Sequence, residues 1–210
     1  NKNSLFINIG KFGEILKLIK SKKCNKVIFA GNIIKPKISK LKLDLRGLFY
    51  IPRIVKASKL GDAAILKVLI KILSENKIKV IKLNTFNPEL TLKKGVYTKI
   101  KPNLLEKEEI GKGIRTLKKI NSYNHTQAVI IRDNKIISKE TRKGTKEMIK
   151  SVSKSKIKKG ILIKLPKVKQ DLRVDLPTIG IDTFKDCNKV GIKGIVVKSN
   201  QNIILNKEVC

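Results

Sequence analysis

The alternation of helical and strand patterns over residues 11–83 constrains the fold most. Residues 11–23 place Phe12, Ile15, Leu16 and Ile19 on one helical face. The run KVIFAG at 26–31 follows, apolar, short and closed by glycine, as suits a buried strand. LGDAAILKVLIKILSE at 60–75 returns to the helical period, with Asp62 near its start, where a carboxylate suits the helix dipole. KIKVIKL at 77–83 is strand-like again. Helix, strand, helix, strand in this order predicts a parallel sheet with covering helices, which a strand before Asn1 would complete.

Residues 84–105 carry Asn84, Asn87, Pro88, Gly95, Pro102 and Asn103, which is loop chemistry. The expected boundary is therefore between an N-terminal domain at 1–102 and a C-terminal domain at 103–210. The second half predicts a helix at 106–120 and a hairpin in TQAVIIRDNKIISKE, turning at Asp133-Asn134. A helix in GTKEMIKSVSK, a strand at 160–165, a helix near 182–190 and short strands GIVV and NIIL follow. The fold class expected is α/β in two domains, the second a mixed α/β domain. The chain begins at Asn1 without methionine and ends at Cys210 soon after an apolar run, the pattern of a fragment lacking sequence at its ends.

Hydrophobic content of 41% implies a globular chain rather than a disordered one. The 49 Lys and Arg against 16 Asp and Glu give a net charge of +33. Such a charge suits a polyanionic partner. The excess is nearly all lysine, scattered along the chain and accompanied by Ile and Asn, so a compositional origin in A/T-rich codons explains much of it. Aromatics at 4%, with no tryptophan, leave few stacking platforms for single-stranded nucleic acid. No specific nucleic acid is expected as a partner. Cys24, Cys187 and Cys210 form no CxxC pair. Cys24 and Cys187 are expected to be packed residues, and the single histidine, His125, to be structural.

The chemistry concentrates in KVKQDLRVDLPTIG, residues 167–180. Leu176 precedes a proline, which favours an extended conformation. If 170–176 are extended, Asp171, Arg173 and Asp175 point one way, with the carboxylates roughly 7 Å apart, while Leu172, Val174 and Leu176 point into the core. Two carboxylates and an arginine suit a divalent cation and a phosphate. The same triplet also suits a surface salt-bridge ladder worth about 1 kcal/mol. Lys164 and Lys167 lead into this stretch and could contact phosphate. Gly144 and Thr145 sit at a helix start, where backbone N–H groups hold anions or are simply capped. Gly31 follows a strand, at the end where open α/β sheets bind ligands. Glu140 closes a strand, as a ligand or as an edge charge.

The pattern Lys164, Lys167, Gln170, Asp171, Arg173, Asp175, Leu176, Pro177, Thr178, Ile179, Gly180 and Thr183 resembles the signature of the LpxI family of UDP-2,3-diacylglucosamine pyrophosphatases. The resemblance extends over nearly the whole chain. It includes IGKFGEILKLIKSKKCNKVIFAGNIIKP, KLGDAAILKVLIKILSENKIKV and TQAVIIRDNKIISKETRKGTKEMI. It implies a two-domain enzyme, its N-terminal domain a Rossmann-like parallel sheet, that hydrolyses UDP-2,3-diacylglucosamine, with Mg2+, to UMP and 2,3-diacylglucosamine 1-phosphate in lipid A biosynthesis. It also implies that Asp171 and Asp175 hold metal or activate water, that Arg173 holds phosphate or orients the acids, and that Asp175 is the most essential. Lys164, Lys167, Gln170, Thr178, Gly31, Gly144, Thr145 and Gln127 become candidate substrate contacts, with Asp62 and Glu140 as further candidate metal ligands. The chain departs from the family at Gly61-Asp62-Ala63, one acid short of GDD, and at Lys143-Gly144-Thr145-Lys146, two acids short of EGTD. Asn124-His125-Thr126-Gln127 stands where the family has DxGQ. These departures admit a catalytically drifted homologue that still binds a UDP-sugar.

The acyl chains of such a substrate require an apolar groove and access from a membrane. Lysines near an anionic surface contribute up to ~1 kcal/mol each. The expectation is a cytoplasmic protein held peripherally at the anionic inner-membrane surface, with a homodimer as a further candidate assembly.

Overall fold

The computed structural model describes residues 4–31, 36–121, 126–168 and 170–210, with the side chains of Ile38 and Asn121 excepted. Asn124 and His125 lie outside the described residues. The chain divides into two compact units, Asn1–Thr85 with Arg173–Asp175, and Phe86–Leu172 with Leu176–Cys210. The division falls upstream of the 102/103 boundary because the intervening loop is tied to the second unit. Thr91 bridges Ile203, and the Leu92 carbonyl accepts from Asn200 N–H at 2.9 Å.

The first unit contains α1 (Phe12–Ser21), β1 (Lys26–Val27), α2 (Leu45–Ser58), α3 (Asp62–Glu75) and β2 (Lys79–Val80). The expected parallel pairing is present, Lys26 opposite Lys79 and Val27 opposite Val80, but each strand is only two residues long. Most of the runs at 26–31 and 77–83 therefore lies outside the ladder. The core is carried by the helices: Phe12, Leu16, Tyr50, Ile70, Ile72 and Leu73 pack with Ile78 and Val80. Helix α2, which no periodic apolar stripe announced, contains Pro52 and a buried Gly47. Its N-cap is Asp44, whose carboxylate accepts from Gly47 N–H at 2.7 Å and, through its other oxygen, from Glu14 N–H at 3.0 Å. One side chain thus caps α2 and the first turn of α1. Burial pushes the Asp44 carboxyl up, but N–H groups of Gly47, Gly13, Glu14 and Arg46 outweigh it and hold its pKa below the usual value.

The second unit contains α4 (Leu104–Asn121), β3 (Ala128–Arg132), β4 (Lys135–Lys139), α5 (Gly144–Lys150), β5 (Ile161–Lys164), β6 (Thr178–Ile179), α6 (Ile181–Lys189), β7 (Gly194–Val197) and β8 (Ile203–Ile204). Its main sheet runs β4-β3-β5-β7, with β6 and β8 forming a separate parallel pair. The β3–β4 turn lies at Asp133 and Asn134, both with positive φ, at 50° and 56°, as a right-twisted two-residue hairpin requires. Strict alternation seals the sheet on both faces. Val129, Ile131, Ile161 and Ile163 pack with Leu117, Ile110 and Ile114 of α4. Ala128, Ile130 and Leu162 pack with Met148 and Ile149 of α5 and with Cys187 of α6. Gly113 lets α4 approach closely, since a Cβ there would collide with the Ile163 side chain. Arg132 ties the sheet end to its surroundings, donating to the carbonyls of Lys159, Ser153 and Val190 at 3.3, 3.2 and 3.0 Å.

Cys187 is buried as expected, and burial, aided by the Asp186 charge, pushes its thiol up to about 12. Cys24 is instead exposed, because the chain has already left α1 in a surface turn. No described helix is long and apolar enough to cross a membrane.

Candidate active site

The sheet of the second unit ends in a polar row. Ala128 on β3 pairs with Lys164 on β5, and its carbonyl accepts from Glu140 N–H at 2.9 Å. Glu140 and Lys164 therefore flank a methyl side chain. Cross-strand neighbours on one face lie within reach of long side chains, and alanine leaves room above itself for the two polar groups to meet a common partner. That partner is Thr145, in the first turn of α5. Lys164 Nζ donates to Thr145 Oγ1 at 2.9 Å, and Thr145 Oγ1 donates to Glu140 Oε1 at 2.5 Å. Lys164 Nζ also donates to the Thr178 carbonyl at 3.1 Å. The other oxygen of Glu140 accepts from Gln127 N–H at 3.0 Å.

Lys164 and Glu140 are each only 7% exposed, so this is a buried charged pair joined through a hydroxyl. Burial lowers the Lys164 pKa below its usual 10.5; the Glu140 charge raises it and the nearby Lys167 lowers it again. Two residues that were not among the site candidates complete the frame. Asn202, 1% exposed, donates to the Lys164 carbonyl at 3.2 Å and accepts from Lys198 N–H at 2.9 Å. Thr126 Oγ1 donates to the Glu140 carbonyl at 2.9 Å. The signal for Asn202 is polarity beside a strand end, and for Thr126 its place in the segment that stands for DxGQ. Among the described residues, the Gln127 side-chain oxygen is buried without a hydrogen-bond partner, an acceptor that a ligand or water would satisfy.

Downstream of Lys164 the chain differs from expectation. Residues 172–174 form a turn, so Asp171, Arg173 and Asp175 do not alternate along a strand. Proline at 177 restrains only Leu176 before it. The turn instead sends Arg173–Asp175 into the first unit, where Val174 packs against the core around Leu16 and Ile72, while Asp171 remains with the second. All three charged residues are half-buried. Gln170 folds back, its side-chain oxygen accepting from Lys167 N–H at 2.8 Å, and so shapes the loop. Strand pairing begins at Thr178, whose hydroxyl donates to the Leu176 carbonyl at 3.1 Å. Thr178 and α6's first turn line an open cavity of about 370 Å³ with Asn206.

Of the candidate residues, the structure joins Lys164, Thr145, Thr178, Glu140 and Gln127 in one network. Gly144 starts α5 with φ +86°. Gly31 (φ +95°) is an exposed turn residue of the first unit, and Asp62 is the exposed first residue of α3. Among the described residues no three His, Cys, Asp or Glu side chains gather. Magnesium itself needs only one or two carboxylates, with water and phosphate oxygens completing its shell. Asp171 and Asp175 suit it by donor type. Glu140 suits it by donor type as well, although its two oxygens already accept from the Thr145 hydroxyl and from Gln127 N–H. Ala63, Lys143 and Lys146, the positions of the missing acids, are all exposed and take no part in the Lys164 network.

Comparison with known proteins agrees with this architecture. A family model described as the LpxI N-terminal domain matches residues 2–90, and one described as the LpxI C-terminal domain matches 93–210. The UDP-2,3-diacylglucosamine pyrophosphatase LpxI of Caulobacter vibrioides is 29% identical over 210 residues, covering 96% of this chain and 75% of that protein. Two family domains in tandem account for nearly every residue, and the chain belongs to the LpxI family.

Proposed function

We propose that this chain hydrolyses the pyrophosphate bond of UDP-2,3-diacylglucosamine, giving UMP and 2,3-diacylglucosamine 1-phosphate. The observation that carries the reading is the buried lysine network at the sheet end, where Lys164, Thr145 and Glu140 are joined by hydrogen bonds. An ammonium held in low dielectric interacts strongly with a phosphate oxygen. Arg173 offers a planar fork for a second phosphate oxygen. Asp171 and Asp175 are the carboxylates that would hold Mg2+, and when bound the ion would polarise the phosphoryl group and favour attack by water. Glu140 serves the lysine through Thr145. The substitutions at Ala63, Lys143 and Lys146 leave the network intact, which favours an active enzyme over a drifted binding protein.

Contact with an anionic membrane surface belongs to the same reading. Helix α2 exposes Leu45, Leu48 and Phe49 on the helix that also carries Arg46, Arg53 and Lys56, a composition suited to an anionic bilayer. Co-sedimentation with phosphatidylglycerol-containing vesicles at low salt checks this; a chain that stays in the supernatant contradicts it.

The test of the activity is UMP release from UDP-2,3-diacylglucosamine, with and without magnesium, in the wild type and Asp175→Ala. Release that needs both the ion and Asp175 is expected. Binding without turnover would instead indicate a drifted homologue, and salt-dependent affinity for generic RNA without either would indicate a nucleic-acid-binding protein.

A further inference from the structure

Glu140 and Thr145 are both already committed to hydrogen bonds inside the network. The Thr145 hydroxyl has one proton, and it goes to Glu140 Oε1 at 2.5 Å. Its oxygen accepts from Lys164 at 2.9 Å. Glu140 Oε2 is held by the Gln127 N–H at 3.0 Å, and the Glu140 carbonyl by Thr126 at 2.9 Å. The carboxylate is therefore fixed from three sides of its own residue and cannot turn toward a metal without abandoning buried donors. Lys164 is fixed just as firmly, its backbone carbonyl accepting from Asn202 at 3.2 Å. An ammonium has three protons. Thr145 and the Thr178 carbonyl take two of them.

We infer that Glu140 and Thr145 are positioning residues, forming a relay that sets the direction of the Lys164 ammonium so that its third proton meets an anionic phosphoryl oxygen of the substrate. The relay also balances charge. A buried ammonium without a nearby carboxylate would be driven toward its neutral form, whereas Glu140, one hydroxyl away, keeps it a cation without pairing with it directly. A direct Glu140–Lys164 ion pair would occupy the proton that the substrate needs. Ala128 is part of the device, because a larger side chain between the two strands would fill the space in which Thr145 meets both. The inference rests on the proposed pyrophosphatase activity, and it assigns roles inside that site.

The experiment compares Thr145→Val, Glu140→Gln, the double variant and Thr145→Ser in the full chain. The readouts are kcat and KM for UMP release, and melting temperature. Thr145→Val is expected to lower kcat by about 100-fold with KM little changed, the scale of a misdirected catalytic contact. Glu140→Gln should match it, the double variant should lose no more than either single one because both act through Lys164, and Thr145→Ser should restore most of the rate. Active wild type with unimpaired Thr145→Val and Glu140→Gln overturns the proposal. So does a loss that follows the melting temperature and is not restored by serine, since that marks a structural role. If the wild type releases no UMP, the activity itself fails, and affinity for UDP by calorimetry decides the relay. Weakening of about tenfold in Thr145→Val, the scale of one charge-assisted hydrogen bond, supports it, and unchanged affinity overturns it.

Discussion

The second unit buries its core in a four-stranded sheet sealed on both faces, whereas the first buries its core between helices around strands of two residues. In the sheet, Val129, Ile130, Ile131, Leu162 and Ile163 are all fully buried. In the first unit, Val27 on β1 is only half-buried and the fully buried side chains, Leu16 and Ile72, belong to α1 and α3. The difference concerns where a charge can be held still. A buried lysine needs fixed partners on several strands and a helix, and only the sheet offers three adjacent strands in register. The first unit's acidic and glycine candidates, Asp62 and Gly31, are instead exposed, at a helix start and at a bend.

The largest expected contrast is in stability. Ile163→Ala should cost about 3–4 kcal/mol, as for a fully buried aliphatic with little room to relax. Val27→Ala should cost about 1 kcal/mol or less, given its partial exposure. Urea denaturation followed by amide hydrogen exchange separates the two units, and equal losses would remove the distinction drawn between them.

Next in size is the double cap. Asp44→Ala should destabilise the first unit by about 1–2 kcal/mol, as for loss of a helix cap, with exchange accelerating in α1 and α2 and not in the sheet. The sign with pH follows from the lowered carboxyl. Because its pKa is lower folded than unfolded, Asp44 contributes stability above the unfolded value, and that contribution is lost as pH falls through the folded one. Wild type should therefore converge on Asp44→Ala in acid. A gap that stays constant with pH would contradict the hydrogen-bond account.

The smallest effect is a shift in a pH profile. Lys164 loses its proton below the ordinary 10.5 because it is buried. The alkaline limb of kcat/KM should fall below that value. Between the two pKa values the unfolded chain binds more protons, so global stability should rise with pH over the same window. Opposite trends in activity and stability identify the group, and parallel trends would point to general alkaline unfolding.

These regions also differed in how readable they were. The hairpin at Asp133-Asn134 and the sheet strands followed from turn chemistry and apolar periodicity, both local properties. Helix α2 has no such signal, since Gly47 and Pro52 interrupt its sequence; the proline leaves the Leu48 carbonyl without its helical donor, at a residue that is exposed. The turn at 172–174 was read as extended because proline constrains only its immediate neighbour, while Val174 is placed by a core distant in sequence. Glu140 and Lys164 could each be suspected individually. Their connection depends on Ala128 standing between them and on Thr145 above it, a register that no single segment encodes.

The most direct measurement is the phosphorus NMR spectrum of UDP-2,3-diacylglucosamine incubated with the wild-type chain and magnesium. The account predicts that the two pyrophosphate resonances disappear together and are replaced by two phosphate monoester signals of equal area, from UMP and 2,3-diacylglucosamine 1-phosphate. Persistence of the pyrophosphate pair, or its conversion to UDP with release of an unphosphorylated sugar, would contradict it.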